Sequence, residues 1–108
     1  MPEIYGSWAS PRENIVTLGT LTSIAATDAV EVSGINFTFV HDVTGGNITV
    51  VDEGSLDGTT WFSLDVAKAH NQSGVDAHFY SNRVVRYVRS RTTAIGAGES
   101  ITISMSCD

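Results

Sequence analysis

Apolar and polar residues alternate most regularly near the end of the chain. In SITISMSC (100–107), Ile101, Ile103, Met105 and Cys107 fall on one parity and Thr102, Ser104 and Ser106 on the other. A period of two marks a strand with one buried face. INFTFVHD (35–42) repeats the pattern, with Ile35, Phe37 and Phe39 turned to a core and Asn36, Thr38 and Val40 behind them. Thr44-Gly45-Gly46-Asn47 then supplies a reversal, from which NITVVDEGS (47–55) returns as the second arm of a hairpin. Asp57-Gly58 is a second turn signal: glycine tolerates positive φ, and aspartate bonds nearby backbone. TTWFSLDV (59–66) is the strand after it, with Trp61 as an anchor whose ring covers the end of the core.

Elsewhere the pattern is less regular. NIVTLGTL (14–21) and AVEVS (29–33) read as strands, and AKAHNQSGVDA (67–77) as a loop with at most one helical turn. RVVRYVRSRTT (83–93) is strand-like but mixed in parity: Val85 and Tyr87 share a face with Arg89 and Arg91, while Val84 and Val88 share one with Arg86. A bulge or an exposed strand end resolves that conflict, with Tyr87 and Val88 as core anchors. Residues 1–14 show neither period; with Tyr5 and Trp8 between Pro2, Gly6 and Pro11 they read as an extended arm, leaving 15–108 as a single domain. About seven or eight strands with turns every eight to twelve residues predict an all-β antiparallel β-sandwich, jelly-roll, Ig-like or discoidin-like.

Composition supports strands over helices, since Val, Ile and Thr abound while Lys, Gln, Leu and Glu are scarce. The chain has 108 residues, enough for one core, and its 17% charged residues are too few for an acidic disordered segment. No apolar run reaches membrane-spanning length and no secretory leader pattern opens the sequence. The Asn-x-Ser/Thr matches at Asn36, Asn47 and Asn71 are then chance.

The net charge of −6 argues against nucleic acid as a partner. The six cations are clustered, with Arg83, Arg86, Arg89 and Arg91 supplying four of them. Alternating arginines on a strand project guanidinium groups about 7 Å apart on one face, a fork geometry suited to carboxylates within the chain or on a neighbour.

The candidate chemistry is thin. No Gly-x-Ser-x-Gly elbow accompanies the many serines, so the chain is expected not to be an enzyme. The single Cys107 cannot form an internal disulfide, and against His41, His70 or His78 it reads as a small buried apolar residue. His70 and His78 flank Asp76, and Asp52, Glu53 and Asp57 cluster near the Asp-Gly turn. Neither group matches zinc or calcium ligand spacing, so both are expected to be solvated loop residues, with no metal and no cofactor.

Together, VDEGSLDGTTWFSL, RVVRYVRSRTT and GAGESITISMS resemble the small β-sandwich structural proteins of tailed bacteriophages, over roughly residues 35–106. Similar strings occur in discoidin-like carbohydrate- or lipid-binding modules, but this sequence lacks the cysteine pair those often carry. The size and aromatic arm are most similar to capsid decoration, or cement, proteins. That resemblance implies a virion protein on the capsid surface, made in the host cytoplasm. It would bind the major capsid protein, assemble with itself as a homotrimer, and contact neither nucleic acid nor membrane. The partner-binding residues expected are Tyr5, Trp8 and Arg12 on the arm and Arg86, Arg89 and Arg91 on the arginine strand. The alternatives are a carbohydrate-binding module of a tail or host-recognition device, with Trp8, Phe79 and Tyr80 as its aromatic platform, or a neck or tail connector.

Overall fold

The computed structural model describes residues 15–107, so the arm expected at 1–14, with Tyr5, Trp8 and Arg12, lies outside the described residues. Nine strands follow in chain order: β1 (Val16–Leu21), β2 (Val30–Glu31), β3 (Phe37–Thr44), β4 (Ile48–Ser55), β5 (Trp61–Ser63), β6 (Lys68–His70), β7 (Gly74–Tyr80), β8 (Tyr87–Ala94) and β9 (Ser100–Cys107). They form two antiparallel sheets. One has the order β1-β9-β3-β7; the other runs β2-β8-β4-β5, with β6 also paired to β4. The chain changes sheet at every connection except those from β4 through β5 to β6, which is the interleaving of a jelly roll.

The two most regular sequence runs lie side by side. β3 and β9 pair without a break from Phe37↔Cys107 to Thr44↔Ser100. Alternation then sends Phe37, Phe39, Val43, Ile101, Ile103, Met105 and Cys107 inward, all at most 3% exposed. From the other sheet Ile48, Val50 and Val88 close the core, with Leu18, Leu21, Val32 and Leu64 around them. β1 follows β9 with a register shift between Thr17 and Gly19, a bulge that carries Leu18 and Leu21 to the same side despite their odd spacing.

Several expectations are corrected. The Thr44–Asn47 reversal does not close a hairpin: β3 and β4 lie in different sheets, and the turn carries the chain across the sandwich. Ile35 precedes β3 and is 42% exposed, because the strand begins only at Phe37. Residues 67–77 hold β6 and most of β7 rather than a loop, which raises the strand count to nine. β6 is too short to show a period, and β7 alternates with its apolar parity, Val75, Ala77 and Phe79, on the exposed side, so neither has the pattern of a core strand; both are edge strands held by backbone pairing to β4 and β3. The arginine segment is a strand only from Tyr87; residues 83–86 approach irregularly, with Arg86 N–H on the Ser55 carbonyl and its own carbonyl accepting from Val32 N–H. The mixed parity is thereby resolved, since Val88, Ser90 and Thr92 face inward while Tyr87, Arg89 and Arg91 face out. Tyr87 is therefore no core anchor.

β5 is shorter than the 59–66 expected. The Asp-Gly turn does join β4 to it, through a five-residue loop organised by two side chains. Asp57 Oδ1 accepts from the N–H groups of Thr59 and Thr60 at 2.9 and 2.8 Å, and Ser55 Oγ accepts from Gly58 N–H at 2.8 Å. Gly58 has φ 82°, where a side chain would be strained. The Thr60 and Thr59 amides hold the Asp57 carboxyl far below the ordinary range. Trp61 is half-buried and outside the core; its ring lies on the outer face under the Arg89 guanidinium, 4.2 Å from centroid to Cζ.

One end of the sandwich is fastened by Glu99. Its carboxylate accepts from Gly46 N–H at 2.6 Å, Gly96 N–H at 2.9 Å and Asn47 N–H at 3.1 Å, tying the β3–β4 and β8–β9 connections together. The Gly46 amide foremost lowers its pKa from 4.5. A carboxylate depressed in the fold stabilises it above the unfolded value and loses that contribution as pH falls through the folded one. Stability to urea should therefore decline as pH drops below 4.5, and Glu99→Gln should both weaken the fold at neutral pH and flatten this acid limb. An unchanged acid limb in the variant would assign the decline to other groups.

Candidate functional site

The described residues concentrate their ionisable chemistry in two places: a polar network between the sheets and a charged array on the outer face of the second sheet. Both are built around β4, whose even positions face the core and whose odd positions face out. Asp52 and Glu53, expected in a solvated loop, are adjacent β4 residues only 1% and 4% exposed.

Asp52 projects into the sandwich. Its Oδ1 accepts from His41 Nε2–H at 2.9 Å and Ser90 Oγ–H at 2.7 Å, and its Oδ2 accepts from Tyr80 Oη–H at 2.6 Å. Burial pushes the carboxyl upward, but the His41 hydrogen bond and charge, with the Tyr80 and Ser90 hydroxyls, outweigh it and hold the pKa below its ordinary value. Burial and the neighbouring carboxylate raise the Tyr80 phenol far above its usual range, so it stays a donor. The four residues come from β3, β4, β7 and β8, and so from both sheets.

His41 connects this network to two more imidazoles. Its Nδ1 lies 3.1 Å from His70 Nε2 on β6, and its ring centroid lies 4.4 Å from that of His78 on β7. One ring nitrogen from each of the three lies within 4.8 Å of the others. His70 Nδ1 is 3.7 Å and His78 Nε2 3.9 Å from Asp76 Oδ2. His78 Nε2 is buried with no hydrogen-bond partner. Burial first, then the His41 charge, lowers the pKa of both His70 and His78, favouring neutral rings. The turn from β6 to β7 forms a pocket of about 180 Å³ whose wall includes His70, Asn71, Ser73 and Asp76.

His70 and His78 are therefore not solvated loop residues: they lie on β6 and β7 with side chains 7% and 15% exposed. One signal of the cluster was available, because extending the β3 alternation from Phe37 and Phe39 places His41 on the core face. The approach of β6 and β7 to it was not legible. The connection also runs Ser90–Asp52–His41, so the hydroxyl faces the carboxylate rather than the imidazole, and no hydrolytic triad results. Cys107 is buried in the core at the end of β9.

On the outer face, Glu53 receives Arg89 Nε at 2.8 Å and Arg91 Nε at 3.2 Å, while Trp61 lies beneath Arg89. Arg86 pairs with Glu31 at 2.8 Å but is 63% exposed, a geometry worth little to stability. Of the three arginines expected at a partner surface, Arg89 and Arg91 thus share the outer face of β8, while Arg86 precedes the strand and reaches Glu31 of β2. Phe79 is 74% exposed, whereas Tyr80 is 4% exposed and committed to Asp52, which removes it from any aromatic platform.

No protein-family model matches the chain, and no curated protein matches it. The chain is similar to one chain in the structure of infectious bursal disease virus, Gx strain, at 8% identity and a TM-score of 0.38, over 86% of this chain and 26% of that one. It thus spans about a quarter of the viral chain, and the sandwich assignment rests on its own strand pairing. Among the described residues no helix is long and apolar enough to cross a membrane.

Removing the buried acceptor should be costly. Asp52→Ala strands Tyr80, Ser90 and His41 together and is expected to lower unfolding free energy by roughly 3–5 kcal/mol, measured by urea denaturation at pH 7. Tyr80→Phe removes one donor and should cost about 1–3 kcal/mol. Equal losses in the two variants would contradict the central place of Asp52.

Proposed function

We propose that this chain is a structural protein of a virion, of the capsid-decoration kind, which docks on the major capsid protein and assembles with copies of itself as a trimer. The observation that carries this reading is the edge strand β7. Among the described residues it has a sheet neighbour, β3, on one side only. Its outward positions are Val75, Ala77 and Phe79, with Val75 69% and Phe79 74% exposed. Edge strands that stay single are usually blunted by lysine, proline or a bulge; β7 has none of these and pairs with β3 in unbroken register. An open edge whose outward side chains are Val75, Ala77 and Phe79, with Asp76 the one charge on the strand, suits strand-to-strand or face-to-face contact between chains.

Further support comes from the resemblance, over roughly residues 35–106, to phage sandwich proteins and from the segregation of charge. Arg86 and Arg91 remain accessible on the opposite sheet, and their forks suit acidic side chains. Weak contacts repeated around a symmetric assembly add up to tight binding without a deep pocket. In this reading the β7 edge joins copies of the chain, and the arm with Tyr5, Trp8 and Arg12 reaches the capsid subunit.

The two parts separate experimentally. Phe79→Lys, alone or with Val75→Lys, should leave the fold intact, because both side chains point outward, and should convert a trimer to monomers in sedimentation velocity; a wild-type monomer, or a trimer that survives both changes, overturns the edge assignment. Deletion of residues 1–12 should yield a folded protein that no longer decorates capsids in a co-sedimentation assay. Undiminished occupancy by the truncated chain would refute the role of the arm, and binding to a glycan array by a monomer would favour the carbohydrate module instead.

A further inference from the structure

We propose that His41, His70 and His78 form a binding site for a divalent first-row transition ion, with zinc as the ion of best fit, and that the ion joins the two sheets. This is independent of the virion reading, which needs no metal.

Four observations converge. First, the ligand atoms are already gathered, with one nitrogen from each ring within 4.8 Å of the others. Two imidazole nitrogens bound to one tetrahedral zinc at about 2.0–2.1 Å stand roughly 3.3–3.4 Å apart. His41 Nδ1 and His70 Nε2 are 3.1 Å apart, so a few tenths of an ångström of separation would admit the ion. The third ring needs a larger inward shift, and it sits on β7, which is held to the sheet on one side only.

Second, the outer partners are those a metal-binding histidine uses. His41 gives its Nε2–H to the buried Asp52 carboxylate at 2.9 Å, which fixes the ring and leaves Nδ1 as the atom aimed at its neighbours. Asp52 is itself held by Tyr80 and Ser90. The Asp76 carboxylate stands 3.7 Å from His70 Nδ1, on the ring edge facing away from His41, where a small movement completes the same relay.

Third, His78 Nε2 is buried without a hydrogen-bond partner, its nearest carboxylate oxygen, Asp76 Oδ2, standing 3.9 Å away. A buried polar atom without a hydrogen bond costs free energy, and a cation shared with the two neighbouring imidazoles would give it a partner. Fourth, the cluster has one member next to solvent: the polar turn between β6 and β7 forms a pocket bordered by His70 and Asp76. Three neutral nitrogen donors suit zinc, copper, nickel or cobalt and not magnesium or calcium, which prefer oxygen. The position left over would be filled by water or by Asp76.

His41 and His78 belong to one sheet and His70 to the other. An ion held by all three would cross-link the sheets and fasten the edge strands β6 and β7. The test uses the full chain without a histidine tag, stripped with chelator and titrated with zinc by calorimetry and with cobalt by absorption. One zinc per chain is expected, with a rise in melting temperature, and cobalt should give the visible bands of a four-coordinate nitrogen site. His70→Ala and His78→Ala should each weaken zinc binding by at least about tenfold, the lower end of what even outer-shell partners contribute. Because either variant can lose stability, the wild-type chain is also followed by NMR of its imidazole resonances, where zinc should shift all three histidines. The proposal is overturned by absence of saturable binding, by equal affinity in folded variants, or by zinc-induced shifts that leave these three rings untouched.

Discussion

A carboxylate with 1% exposure sits between the two sheets, and the arrangement around it follows from the need to keep Asp52 satisfied. A bare charge in an apolar interior would cost several kcal/mol even after relaxation. The fold meets that demand with three donors: the His41 imidazole and Tyr80 phenol from one sheet and the Ser90 hydroxyl from the other. Each donor occupies a position that strand alternation would otherwise give to an aliphatic side chain. The sandwich therefore has an apolar region built on Phe37, Phe39, Ile103 and Val50 and a polar region built on Asp52, and the polar region carries the histidine cluster.

The same strand that buries Asp52 presents Glu53 on its opposite face, where Arg89 and Arg91 converge on one carboxylate and Trp61 supports Arg89 from below. Two adjacent acids on β4 thus serve separate networks, and the arginine ladder is in part neutralised within the chain. An exposed apolar surface lies elsewhere, along β7, where Val75 and Phe79 stand out beside an open backbone edge. Interior chemistry and exterior stickiness meet on this strand, because its alternate residues, Asp76, His78 and Tyr80, turn toward the polar region. Any contact that orders the β7 edge would also bear on the histidines behind it.

Strand alternation alone determined a good deal of the fold. The run 100–107 matches β9 residue for residue, Phe37 and Phe39 are core residues, and the all-β antiparallel sandwich follows from short strands punctuated by turns. Asp57-Gly58 is the turn that its residue types require, because the interactions that make it are local: one carboxylate, one hydroxyl and a glycine at positive φ.

What only the tertiary structure decided are pairings between distant segments. Thr44–Asn47 has the residues of a hairpin turn, yet it crosses between sheets because β3 finds β9 and β7 as partners while β4 finds β8. β6 is too short to carry a period, and the alternation of β7 has its apolar side exposed and its polar side turned in, because both are edge strands held by backbone hydrogen bonds to β4 and β3. His41, His70 and His78 are separated by 29 and 8 positions, a spacing that matches no local motif. They meet because β3 and β7 pair in one sheet while β6 packs across from them in the other. Local periodicity records which face of a strand is buried, whereas the choice of neighbour depends on the whole set of strands folding together.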